Sequence, residues 1–473
     1  MSHSYHSLDA PPPADAESIP PIRGKSTDGA AIINLLNTIV GAGILAMPFA
    51  IKQNGIVLGV ATISFSALAA GMGLYLQGLC SLFVRDGHAS FFQLSQKTYP
   101  SLSVIFDLAI AIKCFGVGVS YLIILGDLMP QIANSFGITH SVAATRSFWI
   151  LISFFIVGPL SFLKHLDSLK YTSVIALVAV GYLVVIVIYQ FFFFDSSEHK
   201  GNVNIVQPQS LAAVLKALPV FIFAFTCHQN MFSSLNEIPI KKEANFRKIV
   251  TFSIGPAAIV YIMVGLAGYL TFGDKVGGNI IAMYPYSIKI VIGQIAIAIL
   301  VLFSYPLQCH PCRASIRNII NWIKTRNSIE NINEYAELEE EVEQGEVHSH
   351  EHDSEIIHDH HSHHLLITSV IVALSLITAL KVHSLEVMLA FVGSTGSTSI
   401  SFILPGLFTY KLLTLQRDQF INPSFHENFY GVKTLDSQFS IRDQILRAAA
   451  IFLFFWGLLV LVVCLGINIV TFG

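Results

Sequence analysis

The residues able to do chemistry in this chain lie inside long apolar runs, where chemistry is costly. Lys113 sits well within the stretch 103–131, where a charged side chain costs at least about 2.5–3.5 kcal/mol on insertion into a bilayer. At helical spacing it shares a face with Gly116, Val117 and Ser120. Asp107 would point about 240° away and Asp127 would lie about 21 Å further along the axis, so neither is a same-helix counter-charge. Three readings stay open for the amine: it meets an acidic group on a bound molecule, it gives up its proton in one state of a cycle, or it snorkels to a helix end and bonds carbonyls. His228, in the stretch "FAFTCHQNMFSSLNE" from Phe223 to Glu237, belongs to the one residue type that titrates near neutral pH and is a candidate proton carrier. A core histidine with one satisfied hydrogen bond is the plainer alternative.

Other reactive side chains form no site. Cys309-His310-Pro311-Cys312 lacks the second Cys pair that a structural zinc centre needs and is expected at a helix end. Eight of the 18 histidines cluster between His348 and His364, after the acidic run Glu337–Glu346. Such a segment could bind metal or sense protons, but its spacing fits no closed site, and a solvated low-complexity loop is the expected form. Histidine-rich loops also suit metal transport, yet no apolar run carries the paired His and Asp or Glu at i, i+4 that a transported cation requires. No nucleophile and base stand together outside these runs, so no enzyme activity, cofactor or metal centre is expected. With 12% charged residues and net charge −3, neither is a nucleic-acid partner.

The elements that must position these groups are membrane spans. Hydrophobic residues make up 53% of the 473-residue chain, and the mean hydropathy is +0.64, so the lipid bilayer is the expected solvent. Charge-poor runs long enough to cross occur eleven times, near 31–53, 56–84, 103–131, 148–164, 171–194, 211–235, 249–272, 287–308, 365–382, 387–409 and 447–471. Residues 1–29 have no apolar core of a signal peptide and read as a disordered tail. With the N-terminus in the cytosol, Lys and Arg divide nineteen to five in favour of the cytosolic side. That places the C-terminus on the opposite, lumenal side. The intervals are then 1–29 cytosolic tail, 30–195 first five-helix repeat, 196–326 helices six to eight, 327–364 cytosolic Glu/His-rich loop, 365–410 helices nine and ten, 411–446 cytosolic loop, and 447–473 helix eleven.

Two spans look broken. "NLLNTIVGAGILAMPFA", Asn34 to Ala50, carries two asparagines, Gly41-Ala42-Gly43 and Pro48. An unwound backbone survives in lipid only where it lines a cavity. The half-helix that restarts after Gly43 would aim free N–H groups and its positive dipole end at the break, which suits a carboxylate. A merely kinked helix would need the same residues. The second break is the polar run Thr226 to Asn230 in span six. Interrupted spans in corresponding positions of two halves point to a midplane transport site. Thr38, Gly41, Ala42 and Gly43 are the expected contacts for a carboxylate, and the carbonyls of Phe223, Ala224 and Thr226 for an ammonium, with Lys113 beside them. Together they describe the backbone of an α-amino acid.

Five stretches resemble the signature segments of the amino acid/auxin permease family: the first break, "KCFGVGVSYLIILGDLMPQI", the second break, "YPLQCHPCRASI" and "GSTGSTSISFILPG". They are most similar to its fungal vacuolar amino acid transporters, especially the efflux branch. The resemblance runs from about Lys25 to the C-terminus. It implies an all-α integral membrane protein with the LeuT-like 5+5 inverted repeat, 11 transmembrane helices with helices 1 and 6 broken, and proton-linked movement of amino acids across the vacuolar membrane. Asn37 and Ser304 match positions that sodium-coupled members of the wider family use, so protons and sodium both remain candidate coupling ions. Export of amino acids from vacuole to cytosol is the expected function, with glutamate and aspartate the first guess. A sensor that binds amino acids without sustained flux, or a sodium-coupled neutral amino acid transporter, is the alternative.

Overall fold

In hydrocarbon every backbone N–H and C=O must be paired within the segment, so apolar runs of this length are expected to be helices. The computed structural model describes residues 27–84, 89–138, 142–162, 172–194, 200–239, 241–339, 353–421 and 441–472, and among these there is helix but no strand. The tail expected over 1–29 falls almost wholly outside the described residues, as do positions 340–352 of the Glu/His-rich segment and 422–440 of the last loop.

The first span is two helices, α1 (Asp28–Ile39) and α2 (Gly43–Asn54), bent by 55°. Thr27 caps α1 by accepting the Ala30 amide at 3.3 Å, which supplies one of the N-terminal donors with a partner. After α3 (Ile56–Ser81) and the short α4 (Phe91–Thr98) comes α5 (Ser103–Ser135), followed by α6 (Arg146–Ser161) and α7 (Thr172–Phe193). The second half opens with α8 (Leu211–Ala224) and α9 (His228–Asn236), the two pieces of span six, then α10 (Glu243–Phe272), α11 (Ile288–Glu339) and α12 (Asp353–Lys381). Span ten runs from α13 (Leu385–Val392) to α14 (Leu404–Ile421) through two wide, π-type turns at Gly393–Ser397 and Ser399–Ile403. Helices α15 (Ile441–Leu459) and α16 (Leu465–Phe472) close the chain.

Both expected breaks, in spans one and six, are present. By length and apolarity the described residues hold nine spans, or ten with the bent pair α1–α2. The remaining expected span, near 148–164, is α6, an apolar helix of 16 residues. It falls just short of the about 17 to 25 residues that a crossing needs, so the expected count of eleven reads as ten spans and one short helix. The segment 327–364 is not loop throughout. Helix α11 continues to Glu339 and α12 begins at Asp353, because the Glu-, Ala- and Leu-rich sequence propagates a helix already nucleated. For the same reason Cys309 and Cys312 are not at a helix end but buried midway along α11.

Burial separates centre from rim. In the most apolar stretch of α5, 78% is buried, against 28% in the final span, so α5 is the axle and α15–α16 the edge. Large apolar side chains such as Phe155, Val178 and Val470 face outward, as expected where the solvent is lipid. All six cysteines are buried free thiols.

Candidate functional site

The first break is a change of hydrogen-bond register. The Val40 amide still donates to Leu36 at 2.9 Å, but the Gly41 amide turns back to the Ile39 carbonyl at 2.8 Å. Ile44 and Leu45 then donate to Gly41 and Ala42, each at 3.2 Å. Among the described residues the amides of Ala42 and Gly43 have no backbone acceptor. These are the free donors at the start of α2, where the helix dipole favours an anion. Of the three amides expected to meet a carboxylate, Gly41 is already partnered and the other two are available.

The second break lies opposite. The Thr226 amide donates to the Phe223 carbonyl at 3.0 Å and its hydroxyl to the Ile222 carbonyl at 2.7 Å. The Tyr261 hydroxyl, from α10, is within hydrogen-bond distance of both the Ile39 and the Ala224 carbonyls. It has one proton for two acceptors, so it ties together the ends of α1 and α8 while leaving lone pairs on both carbonyls unsatisfied. Gly43 explains how close the breaks come: a Cβ there would stand 2.9 Å from both the Cα and the Cβ of Ala224. Ala224 is therefore a packing partner of Gly43, and does not line the cavity between the breaks.

That cavity brings together six of the residues singled out from sequence besides Ala224: Thr38, Gly41, Ala42, Gly43, Phe223 and Thr226. Lys113 joins them from α5. Its volume, about 20 Å³, is room for a single water and not for an amino acid. Of the other lining residues, Val117 was named only as part of the face around Lys113, and Ile39, Tyr121 and Gln308 were not singled out. Val117 and Tyr121 repeat at i+4 and i+8 from Lys113, a stripe visible in sequence. Gln308 had only its polarity within an apolar run as a signal. Of the face expected around Lys113, only Val117 turns to the cavity. A Cβ on Gly116 would lie 2.0 Å from the side chain of Val392, and the Ser120 hydroxyl is spent on the Gly116 carbonyl at 2.9 Å.

Lys113 is 3% exposed, and among the described residues its ammonium has no hydrogen-bond or ion-pair partner. Asp127 is engaged with Arg146 at 3.5 Å and Asp107 with Asn318 at 3.2 Å, so neither aspartate serves as its counter-charge. Span ten packs closely on α5 here: a Cβ on Gly396, in the first wide turn of span ten, would fall 2.6 Å from the Lys113 amide nitrogen. Only a glycine lets that turn lie so close to α5.

His228 stands apart from the cavity. It is fully buried, with Nδ1 3.0 Å from the Ser401 hydroxyl and the ring beside the Ala70 backbone, while its own carbonyl accepts from Gln77 at 2.9 Å. Thr226 links it to the cavity wall, since the Ser401 hydroxyl also lies 3.3 Å from the Thr226 hydroxyl. Asn37 is half-buried on α1 and does not line the cavity. Ser304 lies beside the Tyr121 hydroxyl. Among the described residues no three His, Cys, Asp or Glu side chains gather where they could hold a metal ion.

Side-chain bonds fix the first half-helix against α9 and α10. Asn34 donates to Ser234 at 3.0 Å, Asn230 to the Thr38 hydroxyl at 2.9 Å, and Asn245 to Asp28 at 2.8 Å. The Thr38 hydroxyl donates in turn to the Asn34 carbonyl at 2.8 Å, so it accepts one bond, donates another and serves first to hold α1.

Comparisons with known proteins bear on the family and the fold. The family described as transmembrane amino acid transporter protein matches residues 24–427. Vacuolar amino acid transporter 5 of Schizosaccharomyces pombe is 42% identical over 94% of this chain and 95% of its own length. Vacuolar amino acid transporter 6 of Saccharomyces cerevisiae is 40% identical over 92% and 97%. Among solved structures, MhsT, crystallised with L-phenylalanine, superposes with a TM-score of 0.59 over 94% of this chain and 99% of its own. At 11% identity that likeness shows the LeuT-like fold and nothing finer.

Proposed function

The chain belongs to the transmembrane amino acid transporter family and is not an enzyme, and from that premise we propose that it carries acidic amino acids out of the vacuole in step with protons. The vacuolar setting is supported by the relatives, which are vacuolar transporters by name and match along nearly their whole length. The excess of Lys and Arg in alternate loops supports a cytosolic N-terminus and a lumenal C-terminus.

One observation carries the substrate class. Among the described residues Lys113 is the only charged side chain lining the cavity between the two breaks, and none of them is its hydrogen-bond or ion-pair partner. In the proposed pose the substrate carboxylate meets the Ala42 and Gly43 amides, its ammonium takes spare lone pairs of the Phe223 and Thr226 carbonyls that line the cavity, and its side chain reaches Lys113. A zwitterion with one extra negative charge then leaves the loaded site neutral. A neutral amino acid would leave an unpaired cation buried, at a cost that low-dielectric surroundings magnify. Coupling to protons rests on the resemblance to the efflux branch. Protons leaving an acidic lumen supply the driving force for export by symport.

The test is uptake of labelled glutamate, aspartate and leucine into proteoliposomes holding the purified chain, under an imposed pH gradient or an imposed sodium gradient. Accumulation of the acidic pair that follows the pH gradient is the expected result. Accumulation driven by sodium alone, or of leucine alone, would replace this reading with a sodium-coupled neutral transporter.

A further inference from the structure

We infer that Gln308 is the specificity-determining partner of Lys113, its carboxamide sharing with the ammonium the terminal carboxylate of the substrate's side chain. The inference rests on the acidic-substrate reading above and names a residue for it. Gln308 is 7% exposed and lines the cavity. Its Oε1 is buried without a hydrogen-bond partner, and no described residue bonds its amide nitrogen. A buried carboxamide with both ends unpaired is costly in a finished core. It is understandable in a site whose occupant supplies the missing bonds.

The helix register puts Gln308 where it is needed. Helices α5 and α11 lie side by side, with Tyr121 beside Ser304 at one level and the Cys312 thiol 3.5 Å from the Ala111 carbonyl at another. Residue numbers rise along one helix as they fall along the other, so the two are antiparallel. Gln308, midway between Ser304 and Cys312, is level with residues 115–117 of α5. That is about 4.5 Å along the axis from Lys113, within reach of two long side chains converging on one carboxylate. The amide NH₂ donates to one carboxylate oxygen and Lys113 to the other. Amide oxygen and nitrogen can exchange places by rotation, so the same group could instead accept from a carboxamide, but only Lys113 makes the choice of carboxylate over carboxamide strong.

The experiment measures inhibition of labelled glutamate transport by unlabelled glutamate, glutamine and leucine in proteoliposomes, for the wild type, Gln308→Leu and Gln308→Glu. The wild type should prefer glutamate over glutamine. In Gln308→Leu the KM for glutamate should rise roughly tenfold or more, with maximal rate much less affected, and glutamate and glutamine should become closer competitors. Gln308→Glu sets a carboxylate beside Lys113 and should abolish glutamate transport while leaving binding of leucine, read by thermal stabilisation of the purified protein, intact or improved. If both variants keep the wild-type glutamate KM and the wild-type order of competitors, the role of Gln308 is overturned while acidic transport stands. If the wild type itself prefers leucine, the acidic-substrate reading falls, and with it the role assigned here.

Discussion

Alanine at Gly43 and alanine at Gly41 are the same chemical change two residues apart, and the structure assigns them opposite faults. At Gly43 the added Cβ would stand 2.9 Å from both the Cα and the Cβ of Ala224, closer than carbon atoms tolerate. One contact is backbone, so no side-chain rotation relieves it, and α2 and α8 must separate. Overpacking of this kind costs about 1–3 kcal/mol, and it also moves apart the two breaks that Tyr261 bridges. At Gly41 the nearest atoms to a Cβ are the Thr38 carbonyl oxygen at 3.8 Å and the Tyr121 hydroxyl at 3.9 Å, ordinary van der Waals distances. Its φ is not in the left-handed region, so alanine fits the backbone. The methyl instead enters the cavity, whose volume is only about 20 Å³. Gly43→Ala should therefore lose thermal stability in detergent together with transport, whereas Gly41→Ala should keep wild-type stability and lose transport by raising the KM. The paired assays are thermal unfolding followed by intrinsic fluorescence and initial-rate uptake into proteoliposomes. Wild-type transport by Gly41→Ala would show that this cavity is not where substrate binds. Wild-type stability of Gly43→Ala would refute the close-approach argument.

Lys113→Met removes a buried, unpartnered charge and should be at least as stable as the wild type, yet lose glutamate and aspartate transport by roughly ten- to a hundredfold, the worth of a charge-assisted bond of about 1.5–3 kcal/mol. Unchanged specificity and unchanged pH dependence would reduce the residue to a structural one. His228→Gln keeps a group able to bond the Ser401 hydroxyl but cannot titrate, so exchange across the membrane should continue while pH-driven accumulation stops; persistent accumulation would exclude His228 from coupling. Tyr261→Phe withdraws the single proton shared by the Ile39 and Ala224 carbonyls, and a lower unfolding temperature, from a loss of about 1–3 kcal/mol, should accompany slower transport. An unfolding temperature and uptake rate equal to wild type would show that the hydroxyl supports neither break.

What sequence determined was set by local rules. Apolar length fixed where the helices run, and the two breaks were legible because Gly41-Ala42-Gly43 and the polar run after Phe225 contradict the helices around them. Lys113 stood out because a charge in hydrocarbon demands a reason whatever surrounds it. Tertiary structure decided everything that depends on which helix faces which. Ala224, expected as a carbonyl contact, is a surface on which Gly43 packs and is not among the residues lining the cavity, an arrangement that lies in a 2.9 Å approach between segments about 180 residues apart. His228, placed by sequence in the break, is turned toward Ser401 and away from the cavity, since nothing local sets the rotation of α9. Gln308 looked like one polar residue in an apolar run, and only the antiparallel register of α5 and α11 carries it within about one helical turn of Lys113. Helix formation is governed by bonds within a segment, so one dimension suffices to find it. A binding site is made by side chains from separate segments meeting, and that meeting is a property of packing alone.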